Sequence, residues 1–169
     1  ADFSVKGALQ ISSPNGTEIW YVNEIHNITW VRTGSIANVK LEYSTDSGAT
    51  YPNVIISTTD ASVQSYSWTV PDAIGNQLRV KITDTSNATV TDSSDGDFEI
   101  KGILQLISPN GGEVWVVGES HNITWTRTGS IANVKLDYST DGGTSYPNEI
   151  TASTDASTGS YSWTIPDSI

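Results

Sequence analysis

Along this chain apolar and polar residues trade places with a period of two. Ile28 and Trp30 share one parity while Asn27 and Thr29 share the other. Tyr66, Trp68 and Val70 alternate with Ser65, Ser67 and Thr69, and Leu78, Val80 and Ile82 alternate with Arg79 and Lys81. Side chains two apart lie on one face of an extended strand, so this alternation marks strands with one buried face. No stretch repeats its apolar residues at the helical spacing. Strands are predicted at 8–12, 18–22, 26–32, 39–44, 54–57, 65–70, 77–84 and 97–101. Between them stand Pro14-Asn15-Gly16, Thr33-Gly34-Ser35, Asp46-Ser47-Gly48, Pro71-Asp72 and Asp95-Gly96, residues that turn a chain through left-handed backbone or local side-chain bonds. Short strands at this density predict an all-β fold, an antiparallel sandwich.

The pattern occurs twice. His121-Asn-Ile-Thr-Trp125 repeats His26-Asn-Ile-Thr-Trp30, and the stretch 127–136 repeats 32–41, each at an offset of 95 residues. Residues 7–74 and 102–169 agree at 47 of 68 positions, so one arose from the other by duplication. Asp2-Phe3-Ser4-Val5-Lys6-Gly7 also matches Asp97-Phe98-Glu99-Ile100-Lys101-Gly102. The expected organisation is therefore a terminal strand of a preceding repeat over 1–7, a whole repeat over 8–101, and a second over 102–169. That second repeat lacks its last two strands, the counterparts of 77–84 and 97–101. Burying one large aliphatic or aromatic side chain contributes roughly 1.5–3 kcal/mol, against a net domain stability of about 5–15 kcal/mol. The second repeat is thus expected not to hold together by itself. Either the sequence is a window on a longer array, or Phe3 and Val5 form an assembly strand that completes the next copy.

Composition narrows the function. Nineteen acidic against eight basic side chains give a net charge of −11, which argues against nucleic acid as a partner. Cysteine is absent, and with it disulfides, thiol nucleophiles and cysteine-based zinc sites. No apolar run approaches the roughly 18 residues of a membrane helix. Ser and Thr make up 44 of the 169 residues and Met is absent, the profile of a secreted or cell-surface β protein.

The stretches 108–115 (Ser-Pro-Asn-Gly-Gly-Glu-Val-Trp), 123–125, 134–143, 159–166 and, in the first repeat, 78–84 and 97–100 together resemble the domain of the Ser/Thr-rich, GPI-anchored cell-wall family. That domain is Ig-like or fibronectin-III-like and occurs in tandem in large bacterial and archaeal surface proteins. The resemblance implies the sandwich fold and a role as spacer, adhesive module or fibre unit. One departure is that Thr17 and Asn23 stand where the second repeat has Gly112 and Gly118, so those turns are expected to differ between copies.

Candidate chemistry is sparse. Ser44-x-Asp46-x-Gly48 and Ser139-x-Asp141-x-Gly143, each followed three residues later by Tyr, read as hairpin turns with the Asp accepting turn N–H groups. The two histidines, His26 and His121, occupy one position in two copies, so no nucleophile–base–orienter set assembles and no catalytic residue is expected. Asp84, Asp92, Asp95 and Asp97 cluster near the end of the first repeat and offer hard oxygen ligands suited to calcium. Trp30 and Trp68 lie on the buried parity, leaving Trp20 and Trp115 as the tryptophans placed to stack on a sugar. Asn15, Asn27, Asn87 and Asn122 each open an Asn-x-Thr sequon, with Asn27 and Asn122 on the solvent parity. The expected function is a structural extracellular protein whose copies assemble head-to-tail into a filament, stalk or sheath. The alternative is a carbohydrate-binding or adhesive module of a larger secreted protein, with glycans or cell wall as partner.

Overall fold

A computed structural model describes residues 5–167; the anticipated strand at 2–6 therefore falls mostly outside the described residues. The chain divides into two compact units, 1–101 and 102–169.

The first unit is a two-sheet sandwich. One sheet runs in the order β1 (Ala8–Ser13), β3 (Ile25–Thr33), β6 (Ser65–Thr69). The other runs β2 (Ile19–Tyr21), β9 (Phe98–Lys101), β7 (Gly75–Asp84), β4 (Asn38–Ser44), β5 (Asn53–Asp60), with β8 (Thr91–Ser93) also paired to β7. All pairings are antiparallel except β2 with β9, which is parallel. The alternation read from the sequence decides which side chains meet between the sheets: Ile11, Ile28, Trp30, Leu41, Trp68, Leu78, Val80, Ile82, Phe98 and Ile100 are all buried. Trp30 crosses this core and its indole N–H donates to Ala61 O at 3.1 Å. That carbonyl belongs to a 3-10 turn (Ala61–Val63) capped by the Asp60 carboxylate, a turn that no hydrophobic pattern announces.

β8 was also unannounced. Its Thr-Asp-Ser sequence has no apolar alternation, and it is fixed by polar bonds instead. Asp92 accepts the Ile11 N–H at 2.7 Å and Thr91 Oγ1 donates to Ile82 O at 2.7 Å.

The second unit repeats part of this frame. β10 (Ile103–Ser108), β11 (Ser120–Thr128) and β14 (Ser160–Thr164) form one sheet, and β12 (Asn133–Tyr138) pairs with β13 (Asn148–Asp155). Register is preserved: Ile11 faces Trp30 across β1 and β3, and Leu106 faces Trp125 across β10 and β11. Trp125 donates to Ala156 O at 2.9 Å, as Trp30 does to Ala61. Residues 114–116, which correspond to β2, are not a strand in this unit; in the first unit β2 is paired with β9.

The turns at 17 and 23 do not differ between copies as expected. Thr17 and Asn23 adopt φ of 78° and 70°, beside 90° and 85° at Gly112 and Gly118. Left-handed backbone costs a residue with a Cβ roughly 1–2 kcal/mol, and a β-branched one is the least suited to it. Thr17→Gly should therefore stabilise residues 1–101 by about 1 kcal/mol, read as a raised urea midpoint. An unchanged or lowered midpoint would show that the turn carries no strain.

Candidate functional site

In the first unit the stretch 94–101 seals the edge of the sandwich. Ser94, fully buried, receives the Val80 N–H at 3.0 Å and donates to Pro14 O at 2.7 Å. The Asn15 amide clasps the next residue, accepting Asp95 N–H at 2.8 Å and donating to its carboxylate at 2.9 Å. Gly16 lies so close to Gly96 that a Cβ on it would stand 2.9 Å from the Gly96 Cα. Asp97 is held by Arg79 at 2.5 Å and Ser47 Oγ at 2.8 Å, and these two donors keep its carboxyl below the usual carboxylate range. Phe98 then packs its ring 5.2 Å from Trp20.

Residues 102–167 keep the walls of this site. Pro109, Asn110, Gly111, Gly112, Glu113 and Trp115, with Gly142, Gly143 and Tyr146 opposite, bound an open cleft of about 620 Å³. A Cβ on Gly111 would meet nothing within 4 Å. Beside it, Leu104, Leu106, Trp125, Val134 and Leu136 line an apolar slot of about 160 Å³, whose first-unit counterparts Leu9, Ile11, Trp30, Val39 and Leu41 are buried. Leu106 is 46% exposed where Ile11 is 1%. The sequence did not point to these walls. The signal available for them was the unchanged Pro-Asn-Gly turn of both copies.

The Ser-x-Asp-x-Gly hairpins are turns, as expected. Ser44 Oγ donates to Asp46 at 2.5 Å and receives the Gly48 N–H at 2.9 Å, and Thr50 donates to Asp46 through both N–H and O–H. Asp141 is bonded likewise by Ser139 and Ser145. The serine hydroxyl first, then the Thr50 or Ser145 donors, lower the carboxyls of Asp46 and Asp141 from 3.8 to about 2. A carboxyl depressed in the folded state stabilises fully above its ordinary value, and that stability is lost as pH falls through the folded value. The thermal midpoint of Asp46→Asn should therefore lie below that of the wild type at neutral pH. The gap should shrink between pH 4 and pH 2, followed by circular dichroism. A gap that is constant with pH would sink this assignment.

His26 lies flat on Trp20, centroids 4.5 Å apart and planes 1° from parallel, with Nε2 2.8 Å from Glu24. His121 repeats the stack on Trp115 at 4.6 Å, with Glu119 at 3.0 Å. Trp20 is thus no exposed stacking platform. It is buried, with His26 against its face and Trp68 and Phe98 beyond. Trp115 is half-buried and borders the open cleft.

The acidic residues near the end of the first repeat are not gathered around a common point. Asp84 accepts the Ser86 N–H, Asp92 the Ile11 N–H, Asp95 the Asn15 amide, and Asp97 pairs with Arg79. Among the described residues no three acidic or histidine side chains lie together as a metal site would require. Of the sequons, Asn27 and Asn122 are exposed on β3 and β11. The Asn15 amide is occupied by Asp95 and Asn87 Oδ1 by Thr89. Of the assembly strand, Phe3 lies outside the described residues, while Val5 is 86% exposed and in no strand.

No protein-family profile and no curated protein matches this chain. Among solved structures it is similar to the fibronectin(III)-like modules of Clostridium thermocellum CbhA, with 21% identity over 92% of this chain and 77% of that one, at a TM-score of 0.33. It is also similar to the two Ig domains of DIP-gamma, with 10% identity over 93% and 83% and a TM-score of 0.34. A chimeric titin Z1Z2 shows 15% identity over 98% and 85%, with a TM-score of 0.35. The strand order of the chain itself carries the assignment: an all-β protein of Ig-like antiparallel sandwich architecture.

Proposed function

We propose that this is a structural extracellular protein whose tandem Ig-like repeats build a cell-surface filament, stalk or sheath by head-to-tail assembly. One observation carries the reading: a single chain holds the same framework twice, with the tryptophan-to-carbonyl bond and the strand register of one copy repeated in the other. Head-to-tail contacts join unlike surfaces of such repeats, and contacts between unlike surfaces propagate instead of closing. The Ser/Thr-rich composition, the acidity and the resemblance to the cell-wall family domain support a secreted or surface location. The carboxylates and histidines found in turns and stacks support a non-catalytic role. The exposed Asn27 and Asn122 are the sequons placed to carry glycans, and hexose-sized mass increments on peptides containing them would test this.

The test of assembly compares mass under denaturing and native conditions, with negative-stain microscopy. Filaments that fall apart into single chains on denaturation support the reading; a monodisperse single chain at all concentrations overturns it. The alternative of a carbohydrate-binding module rests on Trp115 and Tyr146 bordering one cleft. A glycan-array signal lost in Trp115→Ala would favour that module.

A further inference from the structure

We infer that the outer face of the β1–β3–β6 sheet is an assembly surface, and that its occupant is the corresponding face, β10–β11–β14, of a second copy of this chain. This rests on the head-to-tail reading and names the two unlike surfaces that make the joint. The even positions of β1 and the odd positions of β3 and β6 face away from the core. So do the odd positions of β10 and the even positions of β11 and β14, and all of these residues are exposed or half-buried. Each face takes three residues from its first strand, five from the second and three from the third, and every one is aliphatic, a hydroxyl or an amide.

No charge falls on either face of a chain that carries nineteen acidic and eight basic side chains. The other sheet of the first unit differs: its strands bear Lys40, Glu42, Arg79, Lys81, Glu99 and Lys101, each in an ion pair. At a net charge of −11 two copies repel where their acidic loops meet. Two neutral faces can close on one another without setting like charges opposite or stripping water from an ion. Neither face has an aromatic ring on which a sugar could stack.

The aliphatic residues decide which face meets which. Ile25 and Val31 on β3 are 68% and 49% exposed, and their counterparts are Ser120 and Thr126. The second face instead carries Ile103 and Ile107, 42% and 47% exposed, where the first has Ala8 and Ser12. Each face thus has bulk where the other is small, so unlike faces fit together better than like ones. One chain owns both, and such contacts propagate. With nine residues in β3, the face measures about 30 Å by 14 Å. That is a small contact, so assembly should depend steeply on concentration.

Val31 and Thr126 occupy the same exposed position on the two middle strands, outside the sequons. Val31→Glu spoils the first face alone and Thr126→Glu the second alone. Sedimentation of the full chain should show that either change raises the concentration needed for assembly by about tenfold or more, because each buries a lone charge in the joint. Mixed in equal amounts, the two variants should form one joint from their intact faces and stop at twice the chain mass. That dimer also shows that both variants fold. If only one of the two variants is impaired, the contact joins like faces and the inference is overturned. If the wild-type chain assembles and neither variant differs from it, this surface is overturned while head-to-tail assembly stands. A wild-type chain that stays monomeric overturns both. Asn27 and Asn122 stand on these faces, so hexose-sized increments on their peptides from assembled chains would also overturn the contact.

Discussion

Phe98→Ala is expected to cost residues 1–101 about 3–5 kcal/mol, the range for removing a buried aromatic ring from a packed core. Net stability for a domain of this kind is about 5–15 kcal/mol, so the loss takes a large part of it. The ring is fully buried and stands 5.2 Å from Trp20, which in turn packs on Trp68. Neither neighbour can fill the space, because Trp20 is already held on its other face by His26. Urea unfolding followed by tryptophan fluorescence should show a lowered midpoint with an unchanged slope, and a red-shifted folded baseline as water reaches Trp20. A cost below about 1 kcal/mol would mean that β9 does not seal the sandwich.

The second large effect comes from extending a chain of these 169 residues. Attaching the sequence of residues 75–101 after Ile169 should give β12 the neighbour that β4 has in β7. β4 is bonded on both edges, to β5 and β7, whereas among the described residues β12 is bonded to β13 alone. In the extended chain the β12 amides that point away from β13 should gain hydrogen-exchange protection by at least about a hundredfold, the factor that roughly 2.7 kcal/mol of added local stability produces. The contacts needed are already present: Val134, Lys135, Leu136, Tyr138 and Ser139 are the same residue types as Val39, Lys40, Leu41, Tyr43 and Ser44. Unchanged exchange at β12 would mean that the two frameworks are not equivalent acceptors, despite their identity.

How far the sequence could be read depended on which force builds each element. Elements built by apolar burial were legible. β3, β6 and β7 carry strict alternation, and their buried faces are those the parity indicated, because a strand with one wet face has only one way to orient. Elements built by polar bonds were not. β8 is a Thr-Asp-Ser triplet pinned by Asp92 and Thr91, and the turn at Ala61–Val63 is set by the Asp60 cap and the Trp30 indole. Nothing in a hydropathy pattern points to partners so distant in sequence. The placement of Trp20 failed for a related reason. It follows a turn in a three-residue strand, too short for parity to be informative, and its burial comes from Phe98, 78 positions away by numbering.

The acidic residues give the same lesson at the site. Proximity in sequence brought Asp84, Asp92, Asp95 and Asp97 together on paper. In the fold each one serves a different backbone or side-chain donor, since a turn N–H or a guanidinium within reach satisfies a carboxylate as well as a cation would.

By itself the sequence determined the fold class, the 95-residue repeat, the buried parity of the long strands and the hairpin turns around Asp46 and Asp141. All of these are local or self-similar properties, fixed by alternation, by glycine and by identity between copies. Only the tertiary structure decided that Trp20 is buried against Phe98 while Trp115 borders a cleft. It also decided that the wall at 14–20 is met by 94–98. Two stretches with nearly the same residues differ there because a strand's edge is completed by whatever pairs with it, and that partner is written elsewhere in the chain.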